Sequence, residues 1–100
     1  MTEPVREAVL EDVAALVTLI NRAYRVEAFF VNGDRTNDED IHARLQASNA
    51  RFLVIDDEHP TRLAACVYLN FNGARAYVGL LSVDPERQGQ GFARRLLDAV

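Results

Sequence analysis

The sequence predicts an α+β domain in which a mostly antiparallel sheet is flanked by helices, in the order β-α-α-β-β-β-loop-α. Three observations predict it. Apolar residues recur at helical spacing over residues 10–25, apolar β-type runs lie at 51–56, 63–71 and 74–83, and Asn72-Gly73, a strong hairpin signal, joins the last two runs. With 100 residues, 49% of them hydrophobic, the chain is expected to form one domain, residues 1–100, around one small core.

The N-terminal part predicts a short strand and then a helix. Residues 4–9 alternate apolar and charged side chains, which is typical of a strand. Acidic residues open the following helix and arginines lie near its end, as the helix dipole favours. Its apolar face is formed by Val13, Leu16, Val17, Ile20 and Tyr24.

The next segment predicts a loop and a second helix. Residues 26–36 combine adjacent apolar residues with turn chemistry, and Phe29 and Phe30 are expected to pack inward as structural cover, with lining of a substrate pocket as the alternative. Thr36 and Glu39 have the spacing of a capping box. They open a helix that buries Ile41 and Leu45 and ends near Ser48-Asn49.

A glycine-containing loop joins the last predicted strand to a third helix. The strand stops at Asp84-Pro85, a polar turn holds Gly89 and Gly91, and apolar residues at helical spacing follow. Glycines just ahead of a helix leave its first N–H groups unobstructed, and those donors have no partner inside the helix. The expected guest of this loop is therefore an anion such as a phosphate.

Two common phosphate-binding patterns do not fit this loop. A dinucleotide-binding fingerprint needs a third glycine where Arg94 stands, and it follows a strand of a parallel unit, whereas this strand enters from a hairpin. The Gly-Lys-Ser/Thr of a nucleotide-triphosphate loop occurs nowhere in the chain. Dinucleotide binding and NTP hydrolysis are therefore poor interpretations.

Metal and nucleophile chemistry are not indicated either. His42, His59 and Cys66 share no ligand-like spacing, so no metal site is expected. Cys66 lies mid-strand among alanine and valine and is expected to be a buried structural thiol. As the single cysteine it forbids an internal disulfide and fits a reducing compartment.

Charge and hydropathy limit the location and partners. The net charge is −4, with −6 on residues 1–60 and +2 on residues 61–100, which argues weakly against nucleic acid and weakly for an amine substrate. No apolar run approaches the roughly 20 residues that span a bilayer, and the N-terminus does not have the pattern of a secretion signal. A cytoplasmic protein with no membrane contact is expected.

The loop and its surroundings resemble a known family. The run Val83-Asp84-Pro85-Glu86-Arg87-Gln88-Gly89-Gln90-Gly91-Phe92-Ala93 closely resembles the acetyl-CoA-binding signature of the GNAT superfamily of N-acetyltransferases, Gln/Arg-x-x-Gly-x-Gly/Ala. Gln88, Gly91 and Ala93 match its defined positions. The upstream order of strands and helices also matches the first half of that fold.

The resemblance implies a cofactor site. Backbone N–H groups would cradle the pyrophosphate of coenzyme A, and main-chain groups at the strand end would hold the pantetheine arm and polarise the thioester carbonyl. An amine, either a small molecule or a protein amino group, would attack the thioester directly. The loop positions are Gln88, Gly89, Gln90, Gly91, Phe92 and Ala93, and the strand positions are Leu81, Ser82 and Val83.

The resemblance does not identify the catalytic residues. Many members carry a glutamate on the strand before the signature as general base, but residues 76–83 contain no acid. Tyr77 is expected to pack rather than to catalyse, and Glu27, near the substrate side in this fold, is a candidate base.

The family's domain normally continues beyond the helix that ends this chain. The resemblance therefore covers the whole chain but only about the first half of that domain, so the chain is expected to be a partial acetyltransferase domain. We expect it to be either a fragment of a longer protein or a truncated protein that completes its fold by association, for example with a second copy. Two functions stay open: an acetyl-CoA-dependent N-acetyltransferase, and a truncated coenzyme A-binding module without catalytic activity.

Overall fold

The computed structural model describes residues 4–27, 36–58 and 62–100, which form four strands and three α-helices in the predicted order. Two short 3-10 turns, Leu10–Asp12 and Pro85–Arg87, precede α1 and α3. The elements are β1 (Val5–Glu7), α1 (Val13–Glu27), α2 (Asp38–Gln46), β2 (Ala50–Asp56), β3 (Leu63–Asn72), β4 (Arg75–Val83) and α3 (Phe92–Asp98). The predictions about Phe29, Phe30 and His59, and about the side chain of Glu27, lie outside the described residues.

The four strands form one antiparallel sheet in the order β1-β2-β3-β4. Every residue from 63 to 69 on β3 is buried, because helices cover both faces of the sheet there. Cys66 and Tyr68 point into a cluster with α1 and α2, while Ala65 and Val67 pack with Leu96 of α3. The predicted α+β fold is confirmed, but its apolar interior consists of two layers, one on each face of the sheet.

The hairpin between β3 and β4 is confirmed, but its turn is shifted by one residue. Asn72 pairs with Arg75, so the central turn residues are Gly73 and Ala74, and Asn72 belongs to β3. Gly73 has a φ of 64°, whereas Ala74 does not have a positive φ. This is the arrangement of a two-residue turn that needs glycine only at its first central position.

The cap of α2 also differs from the prediction. The N-cap is Asn37, whose side chain accepts from the backbone N–H of Asp40 at 2.9 Å, and the helix ends at Gln46. Thr36 lies one residue earlier, buried, and its hydroxyl donates to the Asp40 carboxylate. The predicted capping box is wrong because Thr36 is held elsewhere: the Asn21 side-chain amide of α1 bonds both its backbone N–H and its C=O.

No helix among residues 4–27, 36–58 and 62–100 is long and apolar enough to cross a bilayer. The longest, α1, buries Leu16, Leu19, Ile20 and Ala23 against the sheet and leaves Ala14 and Thr18 exposed. It is therefore an amphipathic surface helix of the predicted kind.

Candidate functional site

A β-bulge interrupts β4 just before the loop. Cys66 pairs with Ser82, and Tyr68 pairs with Gly79. The chain therefore advances two residues on β3 and three residues on β4 between these two pairs. The extra residue lies next to Leu80, which has a left-handed φ of 49°. A non-glycine residue in this conformation stores about 1–3 kcal/mol of strain, which the surrounding structure must offset. The bulge changes the direction of the strand end that leads to the loop.

Two buried side chains hold the bulge. The Ser82 hydroxyl donates to the Leu80 carbonyl at 3.1 Å, and the Cys66 thiol approaches the same oxygen at 3.7 Å. Ser82 is 2% exposed and Cys66 is fully buried. Burial raises the pKa of the Cys66 thiol to about 12, so the sulfur stays protonated and unreactive. The prediction of a buried structural thiol is confirmed.

The loop itself is shaped by a capped turn and two glycines. The Asp84 side chain accepts from the backbone N–H of Glu86 at 2.9 Å and caps the 3-10 turn. Gly89 and Gly91 have φ values of 80° and 82°, which favour glycine, and Gly91 is the N-cap of α3. A Cβ built on either glycine meets no atom of the described residues within 4 Å, its chain neighbours aside, so conformation rather than crowding requires glycine at both positions.

The loop leaves a run of backbone donors without partners. From residue 88 to residue 93, no backbone N–H donates to an acceptor within residues 4–27, 36–58 and 62–100. Such N–H groups require a partner, and in an exposed loop the partner is water or a ligand. Consecutive free N–H groups beside left-handed glycines form a concavity that suits an anion.

The loop and the end of β4 enclose a cleft of about 350 Å³. Its lining residues are Leu81, Val83, Arg87, Gln88, Gly89, Gly91, Phe92 and Ala93. Seven of the nine predicted cofactor residues are therefore brought together. Ser82 is not among them because side chains alternate along a strand, and its own points into the core. Gln90 is exposed but does not line the cleft.

The sequence prediction missed Arg87 as a lining residue. Its guanidinium Nη2 lies 2.7 Å from Asp57 Oδ1, in the turn after β2, and the Asp57 side chain is 5% exposed. Arg87 Nε is buried and has no hydrogen-bond partner in the described part of the chain. At the first residue of the segment that leads into the loop, Arg22 Nη1 of α1 lies 2.9 Å from Asp84 Oδ2.

No proton acceptor for catalysis stands out on β4. Residues 76–83 carry no acid, and Tyr77 is 64% exposed, with its ring lying over Gly79. The contact with Gly79 is close, since a Cβ there would lie 2.6 Å from the tyrosine ring.

In the described ranges, no group of three or more His, Cys, Asp or Glu side chains could hold a metal ion. His42 is exposed on α2, far along the chain from the buried Cys66.

Comparison with known proteins identifies a family and a fold. The sequence model of the Acetyltransferase (GNAT) family matches residues 13–100. No curated protein sequence matches the chain. Solved structures share the fold of this chain, and three of them are described next. Their sequence identities to this chain are 15–20%, which shows a common fold alone.

The PaiA N-acetyltransferase of Thermoplasma acidophilum, in complex with coenzyme A, superposes with a TM-score of 0.85 at 15% identity, over 99% of this chain and 69% of its own. The ribosomal-protein-S18-alanine N-acetyltransferase of Escherichia coli superposes with a TM-score of 0.77 at 18% identity, over 97% of this chain and 56% of its own. An aminoglycoside acetyltransferase from an uncultured soil metagenomic sample, in complex with sisomicin, superposes with a TM-score of 0.73 at 20% identity. The match covers 95% of this chain and 64% of that one.

Proposed function

The chain belongs to the GNAT family of acetyltransferases, and we propose that it binds acetyl-CoA at the loop of residues 88–93 and takes part in transferring the acetyl group to an amine. The observation that carries the proposal is the run of partnerless backbone N–H groups in that loop, beside a cleft of about 350 Å³. Two phosphates bridged by oxygen carry the acceptors and the charge that such donors bind. Bound acetyl-CoA would supply the activated acetyl group as a thioester.

The protein groups in the cleft divide into two regions. The loop amides, with Gly89 and Gly91, would hold the pyrophosphate, since only glycine keeps the left-handed backbone without strain and leaves the space above it open. Leu81 and Val83 line the neighbouring end of the cleft and would contact the pantetheine arm. Ser82 would contribute through its main chain, because its side chain is occupied with Leu80.

The acceptor is proposed only as a class. The structural neighbours include an enzyme named for a protein alanine and one in complex with sisomicin, so the shared fold serves different acceptors. A small amine or a protein amino group would both suit direct attack on a thioester, which needs a neutral nitrogen placed beside the carbonyl. No nucleic acid or membrane partner is proposed, and a cytoplasmic location stays a prediction.

A second function has a specific observation in its favour. Residues 76–83 offer no acid as general base. The chain also spans only 56–69% of the three neighbours compared above. We therefore keep as the alternative a partial acetyltransferase domain, residues 1–100, that binds coenzyme A without completing the transfer.

Association with a second copy also stays a prediction. Within the described sheet β4 is an outer strand, and Tyr77, Val78 and Leu81 on it are 40–64% exposed. An outer strand with apolar side chains favours pairing with another chain. Sedimentation velocity at several protein concentrations tests this expectation, and a monomer at all of them contradicts it.

Two measurements separate the proposed functions. Calorimetric titration with acetyl-CoA tests binding, and the absence of heat up to millimolar ligand contradicts both functions. Release of free thiol from acetyl-CoA in the presence of a panel of amines tests transfer. Binding with amine-dependent thiol release supports the acetyltransferase, whereas binding without it supports the coenzyme A-binding module.

A further inference from the structure

An ion pair fastens the cofactor loop to a distant turn. Arg87 is the last residue of the 3-10 turn that opens the loop, and Asp57 lies in the turn after β2, thirty positions earlier in the chain. Their side chains meet at 2.7 Å, and they are 23% and 5% exposed. Because both groups are largely withdrawn from water, their attraction is screened less than that of a surface pair, and loss of one partner leaves a poorly solvated charge.

Asp57 is itself held in place by its own turn. Its backbone N–H donates to the Arg62 carbonyl at 3.1 Å, and its Oδ1 also accepts from the backbone N–H of Glu58 at 2.8 Å. The carboxylate that Arg87 contacts is therefore oriented before the arginine reaches it. This makes the turn an anchor and the arginine the connection to the loop.

The ion pair lies directly before the run of partnerless N–H groups in the chain. Gln88, the first residue of the run of partnerless N–H groups, directly follows Arg87. The two glycines beyond it permit many backbone conformations, so the loop does not fix its own direction. At the other end of the 3-10 turn, Arg22 holds Asp84 at 2.9 Å. The segment from 84 to 87 is thus held at both ends by charged contacts from separate elements.

Arg87 also lines the cleft, and its buried Nε lacks a partner among the described residues. The Asp57 carboxylate holds one edge of the Arg87 guanidinium from outside the cleft. The arginine is therefore oriented without any contact to a ligand. The sequence signature gives no role to this position, since the matched positions are Gln88, Gly91 and Ala93.

We propose that Asp57 is a positioning residue for coenzyme A binding, acting through Arg87 to hold the start of the loop and the arginine against the cleft. The inference rests on the proposed function. It predicts the sign of the change in coenzyme A affinity when Asp57 loses its charge. Asp57 carries a negative charge near a cleft for an anion, so a purely electrostatic role implies tighter binding when that charge is removed, whereas the positioning role implies weaker binding.

The experiment compares Asp57→Asn with Asp56→Asn in the full chain. Asp56 is the adjacent residue and also pairs with an arginine, Arg6 at 2.7 Å, but that pair ties β2 to β1 and not to the loop. Coenzyme A affinity is measured by calorimetry and the free energy of unfolding by urea denaturation. Asp57→Asn is expected to weaken binding about tenfold, and Asp56→Asn less than about twofold.

Two further readouts separate positioning from a general loss of stability. In an Arg87→Met background, Asp57→Asn should cause no additional loss of affinity, because the residue acts through the arginine. In the ligand-free protein, hydrogen exchange of the Arg87 backbone N–H, which donates to the Asp84 carbonyl at 2.7 Å, should accelerate in Asp57→Asn but not in Asp56→Asn.

Unchanged or tighter binding by Asp57→Asn overturns the inference and leaves the proposed function intact. A tenfold loss that persists in the Arg87→Met background also overturns it. If the unaltered chain does not bind coenzyme A, the proposed function fails, and this inference fails with it.

Discussion

Replacing Gly91 by alanine tests whether the loop binds the cofactor through its backbone. Gly91 has a φ of 82°, a conformation that costs an L-residue about 1–2 kcal/mol. The added methyl meets no atom within 4 Å in the part of the chain that the structure describes, so this strain is the only expected cost in stability. Because Gly91 lines the cleft, we expect the methyl to project into the space that the proposal assigns to the pyrophosphate.

The expected loss of affinity follows from the bonds that the methyl would prevent. A hydrogen bond to a charged group contributes about 1.5–3 kcal/mol. Losing one loop N–H contact should therefore weaken coenzyme A binding roughly 10- to 150-fold. Gly91→Glu, which adds a negative charge at the same place, should abolish binding at micromolar ligand.

Gly73→Ala provides the matched control. Gly73 also has a positive φ, 64°, and an added Cβ there also meets no atom of residues 4–27, 36–58 and 62–100 within 4 Å. It lies in the hairpin turn at the other end of β4. Both alanine variants should lose unfolding free energy, measured by urea denaturation, but only Gly91→Ala should lose affinity in calorimetric titration. Equal affinities for the two variants would refute the assignment of the loop.

Three further predictions concern the scaffold. Cys66, with its pKa raised to about 12, should not react with a thiol reagent at pH 8 in the folded protein and should react on unfolding; labelling followed by mass spectrometry measures this, and rapid labelling of the native state contradicts it. Arg6 hydrogen-bonds Asp12 and Asp56 and so lowers the pKa of both carboxyl groups. The folding stability that these two contacts contribute is present above a pH of about 4 and is lost as the pH falls through the lowered pKa values. Arg6→Met should thus destabilise the protein at pH 7 more than at pH 2 in urea denaturation, and an equal loss at both would count against this linkage. Asn21→Ala leaves two buried backbone groups unpaired and should cost about 1–3 kcal/mol of unfolding free energy, while a loss below about 0.5 kcal/mol would show that water replaces the amide.

The fold was predictable because its determinants are local. The period of apolar residues places α1, and the buried run of β3 and the Gly73 turn place the central hairpin. The loop was predictable for the same reason, since left-handed glycines followed by a helix leave a recognisable spacing in Gly89 and Gly91. The order of elements along the chain then follows from these segments.

The features that the sequence did not reveal depend on contacts between distant residues. The left-handed Leu80 is an apolar residue in an apolar strand, and only its pairing with β3 makes it part of a bulge. Arg87 looks like any loop arginine until the fold places Asp57 beside it. Thr36 had the spacing of a cap, but the amide of Asn21 already holds its backbone.

The central claim is that the backbone N–H groups of residues 88–93 hold coenzyme A. The most direct test is a titration of the isotope-labelled protein with coenzyme A, followed by amide chemical shifts. Saturable shifts concentrated at residues 81–83 and 88–93 are expected, with the Gly73 turn unchanged. Saturable binding that leaves the amides of 88–93 unmoved, or shifts centred elsewhere, would contradict it.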